Sequence, residues 1–330
     1  MYWKREESLM SLLNIDNLVT YYSTKRGPVR AVEGVSFRVE KGQATGLVGE
    51  SGCGKTTVAL SIMRILPSRG KVVGGKILWK GVDLVNFREK QMREVRWKEI
   101  SIVFQGAMNA LDPLYKLGDQ ISEAIQIHES RVSKTDLIKR TGELLGLVGL
   151  EPVRASSYPH ELSGGMRQRG LIAMALACRP ELLIADEPGT ALDVIVQAQI
   201  LSVMEDLRKR LNLGMILITH DLSTVADTCD KVVIMYAGKI AEHADVLELF
   251  EKPLHPYTQG LIRAFPSIRS ARTRMTSIPG SPPDLLDPPK GCRFHPRCTY
   301  AKPICKQVEP VLTEKGGKEH FVACHLYDDA

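Results

Sequence analysis

The sequence predicts an α/β fold in which short buried strands alternate with helices, and three observations support that prediction. Short apolar runs recur at residues 45–48, 182–185 and 215–218, as expected for strands buried on both faces of a parallel sheet. Stretches with apolar residues at helical intervals lie between them. A glycine-rich segment joins the first run directly to a helical stretch, which is a connection typical of open α/β sheets.

The glycine-rich segment is Gly49-Glu50-Ser51-Gly52-Cys53-Gly54-Lys55-Thr56, which fits the phosphate-loop pattern G-x-x-x-x-G-K-[ST] without a mismatch. Its glycines allow successive backbone N–H groups to point at an anion. The positive end of the helix predicted from Thr57 to Leu66 adds to the positive potential that these groups create. Lys55 can reach the β- and γ-phosphates, and the Thr56 hydroxyl is placed to ligate Mg²⁺. We therefore predict a nucleotide site over residues 49–57; a glycine-rich turn without a ligand is the alternative.

Composition and charge restrict the class of protein. At 330 residues we expect one large domain with an appendage. The net charge of +6 is mild and forms no basic stripe, which argues against nucleic acid as a partner. No apolar run approaches the length of about 18 residues that crosses a bilayer, and Lys4 and Glu6 interrupt any secretory signal at Met1. We therefore expect a cytosolic protein, with Met10 as an alternative native start.

Strand patterns also lie on both sides of the phosphate loop. Residues 12–19 and 32–39 read as strands, and residues 75–81 look like one arm of a hairpin. An aromatic in this region could stack on a nucleotide base, or be a half-buried strand residue. Residues 100–104 predict a buried strand that ends at Gln105. This carboxamide could supply an oxygen to a metal or orient a water, and a surface loop glutamine is the alternative.

The middle of the chain has helical periodicity. Apolar residues fall at helical intervals between Leu117 and Leu150, which predicts a helical insertion between two strands. These residues are Ile121, Ala124, Ile125, Ile127, Leu137, Leu144, Leu145 and Val148. Next, Ser163 is a good N-cap, and its hydroxyl with the amides of Gly164 and Gly165 predicts a second anion-binding helix start, leading into an apolar helix at about 171–178. Two such ends in one chain are unexpected unless two copies face each other.

Two acids follow the buried run at residues 182–185. They emerge at the carboxyl end of a parallel strand, where ligands bind in open α/β sheets. Asp186 can hold Mg²⁺ through its water shell, and Glu187 can orient a water for attack on the γ-phosphorus. Residues 191–193 open another helix, and the strand at 214–219 delivers His220 to its end. A lone histidine is more often structural, but this one is expected at the sheet edge that carries Asp186.

In chain order, these segments resemble the Walker A, Q-loop, signature, Walker B, D-loop and H-loop motifs of ABC transporter ATPases. The matching segments are the phosphate loop, Gln105 and residues 162–166, 183–188, 191–193 and 219–221. The resemblance spans residues from about 12 to 250. It implies an ABC-type P-loop NTPase nucleotide-binding domain with an antiparallel β subdomain and an α-helical subdomain at about 107–165.

The resemblance also implies a role for each motif. Tyr22 would stack on the adenine of ATP, with Tyr21 as the second choice. Gln105 would ligate Mg²⁺ or a water and sense the membrane subunits. Residues 163–165 would clamp the ATP held by an opposite protomer, and His220 would contact the γ-phosphate, so that Glu187, His220 and Gln105 form the catalytic set.

The same resemblance implies an ATP sandwich and a set of partners. Two nucleotide-binding domains would face each other head to tail, with the phosphate loop of one opposite the signature helix of the other. The second ATPase subunit would be an identical chain or a sister chain. The γ-phosphate would draw the two halves together and hydrolysis would release them, which would drive alternating access in two transmembrane permease subunits.

The tail resembles the C-terminal extension of oligopeptide/dipeptide importer ATPases. The segments that carry this resemblance are Lys252-Pro253-Leu254-His255-Pro256-Tyr257-Thr258-Gln259, Ala264-Phe265-Pro266, Ile278-Pro279-Gly280-Ser281-Pro282-Pro283 and Gly291-Cys292-Arg293-Phe294-His295-Pro296-Arg297-Cys298. Prolines at 279–289 predict an extended linker. We expect an ATPase domain at residues 11–252 and an extension at residues 253–330.

Four of the seven cysteines lie in the extension, in the pattern C-x5-C-x6-C-x18-C formed by Cys292, Cys298, Cys305 and Cys324. Disulfides are not expected in a cytosolic protein, and four thiolates suit either tetrahedral zinc or an iron–sulfur cluster. The spacing lacks the C-x2-4-C knuckles of zinc sites, and relatives with such a tail resemble [4Fe-4S] proteins. The cluster is favoured, zinc is the second choice and reduced structural thiols are the third.

We therefore expect the ATP-hydrolysing subunit of an importer of dipeptides or oligopeptides, bound to the cytoplasmic face of a membrane. An extracytoplasmic peptide-binding protein and the permease subunits would select the cargo. Two other classes stay open. One is a non-transport ABC ATPase that acts on DNA or ribosomes, although such proteins usually show long coiled coils or tandem cassettes. The other is a redox-sensing ATPase whose cysteine tail is the active element.

Overall fold

A computed structural model describes residues 11–106, 110–264, 278–316 and 319–328. The chain forms two compact units: unit 1 comprises residues 1–39, 44–85 and 218–330, and unit 2 comprises residues 40–43 and 86–217. The strands are β1 Leu13–Thr24, β2 Gly27–Val39, β3 Ala44–Val48, β4 Gly70–Trp79, β5 Val82–Asp83, β6 Ile100–Val103, β7 Leu182–Asp186, β8 Gly214–Thr219, β9 Lys231–Tyr236, β10 Lys239–Asp245, β11 Thr313–Glu314 and β12 Phe321–Val322. The α-helices are α1 Lys55–Met63, α2 Glu89–Val95, α3 Leu117–His128, α4 Lys134–Leu147, α5 Gly164–Ala175, α6 Val194–Leu211, α7 Leu222–Thr228, α8 Val246–Glu251 and α9 Pro256–Ala264.

An antiparallel sheet in unit 1 has the strand order β2-β1-β4-β5. β1 and β4 are its interior strands: β1 pairs with β2 and β4, and β4 also pairs with β5. Residues 80–81 form the turn between β4 and β5, and both have positive φ, 47° at Lys80 and 83° at Gly81, as expected for a two-residue hairpin loop. The hairpin arm predicted at residues 75–81 therefore ends two residues earlier, at Trp79. The sheet is antiparallel, as predicted, and its strands are longer than the hydrophobic alternation alone indicated.

The second sheet region of unit 1 has the order β11-β12-β10-β9-β3. β3 is parallel to β9, whereas the other neighbouring pairs are antiparallel. All five residues of β3 are buried, and Gly46 lies against Val225 of α7, where a Cβ would come 2.6 Å from a valine methyl. The helix therefore covers one face of the strand that leads into the phosphate loop.

Unit 2 contains the parallel strands β6 and β7, with β8 beside β7. The apolar faces of α3 and α4 are buried as predicted, except that Ile127 is 63% exposed. Ile127 lies two residues beyond Ile125, a step of about 200° around the helix, and so faces away from the buried side of α3. Helix α5 begins at Gly164 and ends at Ala175, so the predicted bounds of about 171–178 were wrong. Its first turns are polar, and an apolar run therefore could not indicate where the helix starts.

The C-terminal segment belongs to unit 1. Strands β11 and β12 extend the sheet through pairing of β12 with β10. Within residues 278–290 there is no helix or strand, as the prolines predicted, although the Arg30 N–H donates to the Leu285 carbonyl at 2.9 Å and holds this segment. The two alternative starts, Met1 and Met10, lie outside the described residues, and so does Phe265-Pro266 of the tail pattern.

None of the helices that the structure describes is both long enough and apolar enough to span a membrane.

Candidate functional site

The phosphate loop lies in unit 1 between the buried strand β3 and the start of α1, as predicted. Gly52 and Gly54 have φ of 80° and 108°, a region of backbone conformation that residues with a Cβ atom rarely adopt. A Cβ at Gly54 would lie 2.2 Å from the Ala31 carbonyl oxygen, and a Cβ at Gly49 would lie 2.2 Å from the Met235 carbonyl oxygen. The glycines are therefore required by close approach to neighbouring backbone as well as by loop curvature.

Lys55 places its ammonium group inside the loop. It donates to the carbonyl oxygens of Gly49 at 2.6 Å and Glu50 at 3.1 Å, and the residue is only 5% exposed. Thr56 is exposed at the first turn of α1. A buried positive charge surrounded by inward-curving backbone is an arrangement that binds phosphate. An exposed hydroxyl beside it is a suitable oxygen ligand for magnesium.

Tyr22 and Thr57 are brought together by the packing of β1 against α1. Their hydroxyl oxygens are 3.2 Å apart, and Tyr22 is half-buried. Tyr21 instead donates a hydrogen bond to Glu33 at 3.0 Å. Successive residues of a strand point to opposite faces, so only one of the two tyrosines can lie on the face of α1, and this is Tyr22.

His220 follows β8 directly and is exposed, as the sequence predicted for the end of that strand. The next residue, Asp221, caps α7 by accepting from the Ser223 N–H at 2.9 Å and from the Thr224 hydroxyl at 2.8 Å. Burial alone would raise the pKa of Asp221, but these hydrogen bonds lower it below its ordinary value. The carboxylate therefore stays ionised and fixes the backbone that carries His220.

Asp186 and Glu187 lie at the end of β7 in unit 2, where they were predicted. Asp186 is 1% exposed, and Glu187 has a positive φ of 46°. Gln105, at the end of β6, donates its amide to the Glu187 carboxylate at 2.7 Å. Thr190 donates its hydroxyl to the same oxygen at 2.9 Å. These two hydrogen bonds restrict the orientation of the Glu187 carboxylate.

Ser163 is the N-cap of α5, as predicted. Its hydroxyl accepts from the Met166 N–H at 3.3 Å, and the side chain is exposed. A Cβ at Gly165 would lie 2.6 Å from a methyl group of Val196, so α6 packs closely against the start of α5. The helix start has the exposed amides that an anion requires.

The four tail cysteines lie in one region of unit 1. The charges of Cys292, Cys298 and Cys305 all act on Cys324, and the Cys292 N–H donates to the Cys305 carbonyl at 2.8 Å. Burial raises the pKa of both Cys292 and Cys324 to about 11. Backbone amides of Phe294, Tyr300 and Leu326 act in the opposite direction on Cys292, Cys298 and Cys324 respectively.

A metal centre is not established by this arrangement. Among the described residues, no group of three or more His, Cys, Asp or Glu side chains is placed to hold a metal ion. The predicted iron–sulfur or zinc site therefore remains a prediction.

Contacts between the tail and the phosphate loop were missed by the sequence reasoning. Arg297 binds Glu50 with two hydrogen bonds of 2.6 and 2.9 Å, and the Tyr257 hydroxyl accepts from the Glu50 N–H at 3.0 Å. Thr190 was also missed. The sequence offered no signal for the pairing of Arg297 with Glu50, because the burial of Arg297 and its contact with the loop follow from the fold.

Comparison with known proteins shows which family the chain resembles. Residues 32–190 match the family described as ABC transporter, and residues 241–305 match the family described as oligopeptide/dipeptide transporter, C-terminal region. The chain is 49% identical over 307 residues to the probable peptide ABC transporter ATP-binding protein y4tR of Sinorhizobium fredii, covering 92% of this chain and 91% of that protein. It is 44% identical over 323 residues to the dipeptide transport ATP-binding protein DppD of Escherichia coli, covering 97% and 98%.

A solved structure shares the fold. MJ0796, described as a bacterial ABC transporter cassette in a dimeric structure, is 25% identical, with a TM-score of 0.64, covering 71% of this chain and 98% of that one.

Proposed function

The chain belongs to the ABC transporter ATP-binding subunits of the oligopeptide/dipeptide importer family, and from this premise we propose how its residues bind and hydrolyse ATP to drive peptide import. The single observation that carries the proposal is the buried Lys55 ammonium inside the glycine loop at the start of α1. We assign the phosphates of ATP to residues 49–57 and the adenine ring to Tyr22. The contact of Tyr22 with Thr57 supports that assignment.

Magnesium is the metal that ATP hydrolysis in this family requires, and each residue assigned to it carries an oxygen of the kind that magnesium binds. Magnesium prefers hard oxygen ligands and keeps several of its waters. The Thr56 hydroxyl, the Gln105 carboxamide and the Asp186 carboxylate offer such oxygens. The ion would neutralise charge on the phosphates.

Glu187 is assigned the role of orienting and polarising the attacking water. Its carboxylate is already held by Gln105 and Thr190, so its lone pairs point in a fixed direction. Preorganised acceptors of this kind lower the cost of reaching the transition state. His220 is assigned to the γ-phosphate, and its exposed position at the end of β8 supports that role.

Residues 163–165 are assigned to the ATP of a second ATPase subunit, identical or sister. The N-cap at Ser163 leaves helix amides available to an anion. Dimer closure on ATP would act on two transmembrane permease subunits at the cytoplasmic face of the membrane. An extracytoplasmic peptide-binding protein would deliver a dipeptide or oligopeptide cargo. The ATPase domain would occupy residues 11–252 and the extension residues 253–330.

The test of this function is the Glu187→Gln variant with any sister subunit supplied. The variant should still bind ATP with magnesium and form a stable dimer, because only the water-orienting carboxylate is lost. Turnover should fall by a factor on the order of 100 or more. Normal turnover would remove Glu187 from its role, and a chain that stays monomeric with ATP at high concentration would contradict the shared nucleotide site.

We further propose that Cys292, Cys298, Cys305 and Cys324 hold a [4Fe-4S] cluster, with zinc as the alternative. The four thiols lie close enough that their charges raise the pKa of Cys292, Cys298 and Cys324, and backbone amides near these three lower it. Their proximity and these amides support the ligand set, since hydrogen bonds to sulfur stabilise bound thiolates. The cluster would supply either a structural link or a redox centre. Anaerobic purification with iron, sulfide and zinc analysis tests the proposal, and zinc alone would overturn it.

A further inference from the structure

The phosphate loop is held from outside by the cysteine-rich extension. We propose that Arg297 and Tyr257 are positioning residues of the nucleotide site, which fix Glu50 in the phosphate loop and cancel its charge, and so set the affinity for ATP. The inference rests on the proposed binding of ATP by residues 49–57. It adds Tyr257 and Arg297 to that site, although they lie 207 and 247 positions from Glu50 in the chain.

The ion pair between Glu50 and Arg297 is two-pronged and mostly withdrawn from water. The guanidinium donates to both carboxylate oxygens, at 2.6 and 2.9 Å, and its side chain is only 5% exposed. The remaining donors bind the Tyr236 hydroxyl at 3.3 Å and the Pro279 carbonyl at 2.8 Å. Hydrogen bonding to Glu50 raises the pKa of Arg297 above its ordinary value. A two-pronged contact fixes direction as well as distance.

Tyr257 holds the backbone of the same residue. Its hydroxyl accepts from the Glu50 N–H at 3.0 Å, and the side chain is fully buried. The ring packs edge-on against Tyr236 and lies 5.4 Å from Phe294 of the extension. The Glu50 backbone N–H is thereby turned toward the protein interior, while the Glu50 carbonyl oxygen accepts a hydrogen bond from the Lys55 ammonium group. The peptide groups on both sides of Glu50 are therefore held by hydrogen bonds.

Charge explains why the contact matters for ATP. Glu50 places a carboxylate in a loop whose purpose is to attract phosphate, and like charges at such short range repel. The Arg297 guanidinium removes that repulsion. Loss of Arg297 would leave the partly buried Glu50 carboxylate without its counterion. This would destabilise the folded protein, and the carboxylate would repel the bound phosphates.

The position of Arg297 connects the loop to the cysteines. Arg293 follows Cys292 and Arg297 precedes Cys298, and both arginines are buried. Arg293 binds Glu33 and the Ala237 carbonyl rather than the phosphate loop. The two arginines thus dock the same short segment, but only Arg297 reaches the nucleotide site. This makes Arg293 a matched control for docking alone.

The test compares ATP binding and steady-state kinetics in full-length variants. Arg297→Gln should raise the Kd and KM for ATP by about tenfold or more, with a smaller change in kcat, because the repulsion acts on bound phosphate. Arg293→Gln should change the Kd and the KM for ATP by less than about twofold, even if its melting temperature falls as far as that of Arg297→Gln. The double variant Glu50→Gln with Arg297→Gln should recover most of the lost affinity, since the repelling charge is gone.

Two outcomes would overturn the inference. One is equal loss of ATP affinity in Arg297→Gln and Arg293→Gln, which would indicate docking of the segment only. The other is a double variant that binds ATP no better than Arg297→Gln. Should Arg297→Gln fold poorly, the comparison moves to Arg297→Lys, which keeps the charge and loses the two-pronged contact and should raise Kd by about threefold.

The proposed function fails in a different way. If the wild-type chain binds no ATP, the site at residues 49–57 is wrong, and the inference falls with it. If the wild type binds ATP and Arg297→Gln binds it equally well, only the inference is wrong.

Discussion

The side-chain amide of Gln105 donates to the Glu187 carboxylate across 2.7 Å, and this contact joins the ends of two parallel strands, β6 and β7. The pairing holds a potential base in one orientation before any substrate arrives. Thr190 supports the same oxygen. Orientation of Glu187 therefore depends on two neighbours that lie 82 and three residues away in the chain.

Replacing Gln105 should slow hydrolysis more than it weakens ATP binding. In Gln105→Ala, Glu187 loses one of its two donors, and we predict a fall in kcat by a factor on the order of 10 to 100. Thr190→Val should show a smaller fall, of about threefold. Steady-state ATPase assays of both variants, with Kd measured separately, check this. An unchanged kcat in Gln105→Ala would contradict the prediction.

Removing the Lys55 ammonium should abolish ATP binding. In Lys55→Ala the phosphates lose their buried positive partner, and we expect Kd to rise by about 100-fold or more. Lys41, which forms a surface ion pair with Glu181 at 3.9 Å, is the matched control. Lys41→Ala should bind ATP as the wild type does, because exposed pairs contribute little. Titration with a fluorescent ATP analogue measures both, and tight binding by Lys55→Ala would refute the site.

The two serine caps Ser163 and Ser133 allow helix stability to be separated from function. Each accepts from the N–H three residues on, in α5 and α4 respectively. Alanine at either position should cost about 1 kcal/mol of unfolding free energy. Only Ser163→Ala should weaken ATP-dependent dimerisation in a Glu187→Gln background, as measured by size-exclusion chromatography. Equal dimerisation by both variants would argue against a nucleotide contact at Ser163.

Glycine substitutions in the phosphate loop should differ in cost. Gly54→Ala meets both a φ of 108° and an Ala31 oxygen 2.2 Å from the new Cβ. We predict a loss of unfolding free energy of roughly 3 kcal/mol or more. Gly52→Ala has a φ of 80° but nothing within 4 Å of the new Cβ, so about 1 kcal/mol is expected. Urea denaturation of both variants tests the difference, and a costlier Gly52→Ala would contradict it.

Acid should destabilise the protein through His255. Burial lowers the pKa of His255 to about 4, partly offset by Glu242, and its Nδ1 accepts from the Tyr257 N–H at 3.0 Å. The folded state therefore keeps this ring neutral, while the unfolded state takes up a proton below an ordinary pKa of about 6.5. The stability from His255 is complete above that value and is lost as the pH falls toward 4.

Between pH 6.5 and 5 this single group should remove about 2 kcal/mol of unfolding free energy. His255→Asn, which offers an oxygen acceptor that does not titrate, should flatten the profile in that window. Denaturation at a series of pH values compares the two proteins. A wild-type slope that persists unchanged in His255→Asn would show that other groups are responsible.

Local sequence patterns predicted much of the fold and of the nucleotide site. The phosphate loop, the acids after β7, the histidine after β8 and the cap at Ser163 all lie where the sequence indicated. Each is set by short-range chemistry: glycines that permit a left-handed backbone, apolar runs that form buried strands, and a hydroxyl that satisfies a helix start. The apolar run at about 171–178 marked only the last turns of α5, because its first turns are polar, and the cap at Ser163 was the better guide to its start.

The contacts across long separations could be decided only by tertiary structure. Nothing in the order of residues pairs Glu50 with Arg297, or Gln105 with Glu187. Such pairs depend on which strand ends and loops meet after the core is packed, and the energy of a buried ion pair depends on geometry and loss of water rather than on sequence spacing. Sequence alone therefore determined which chemical groups the nucleotide site has, and folding decided which distant residues hold them in place.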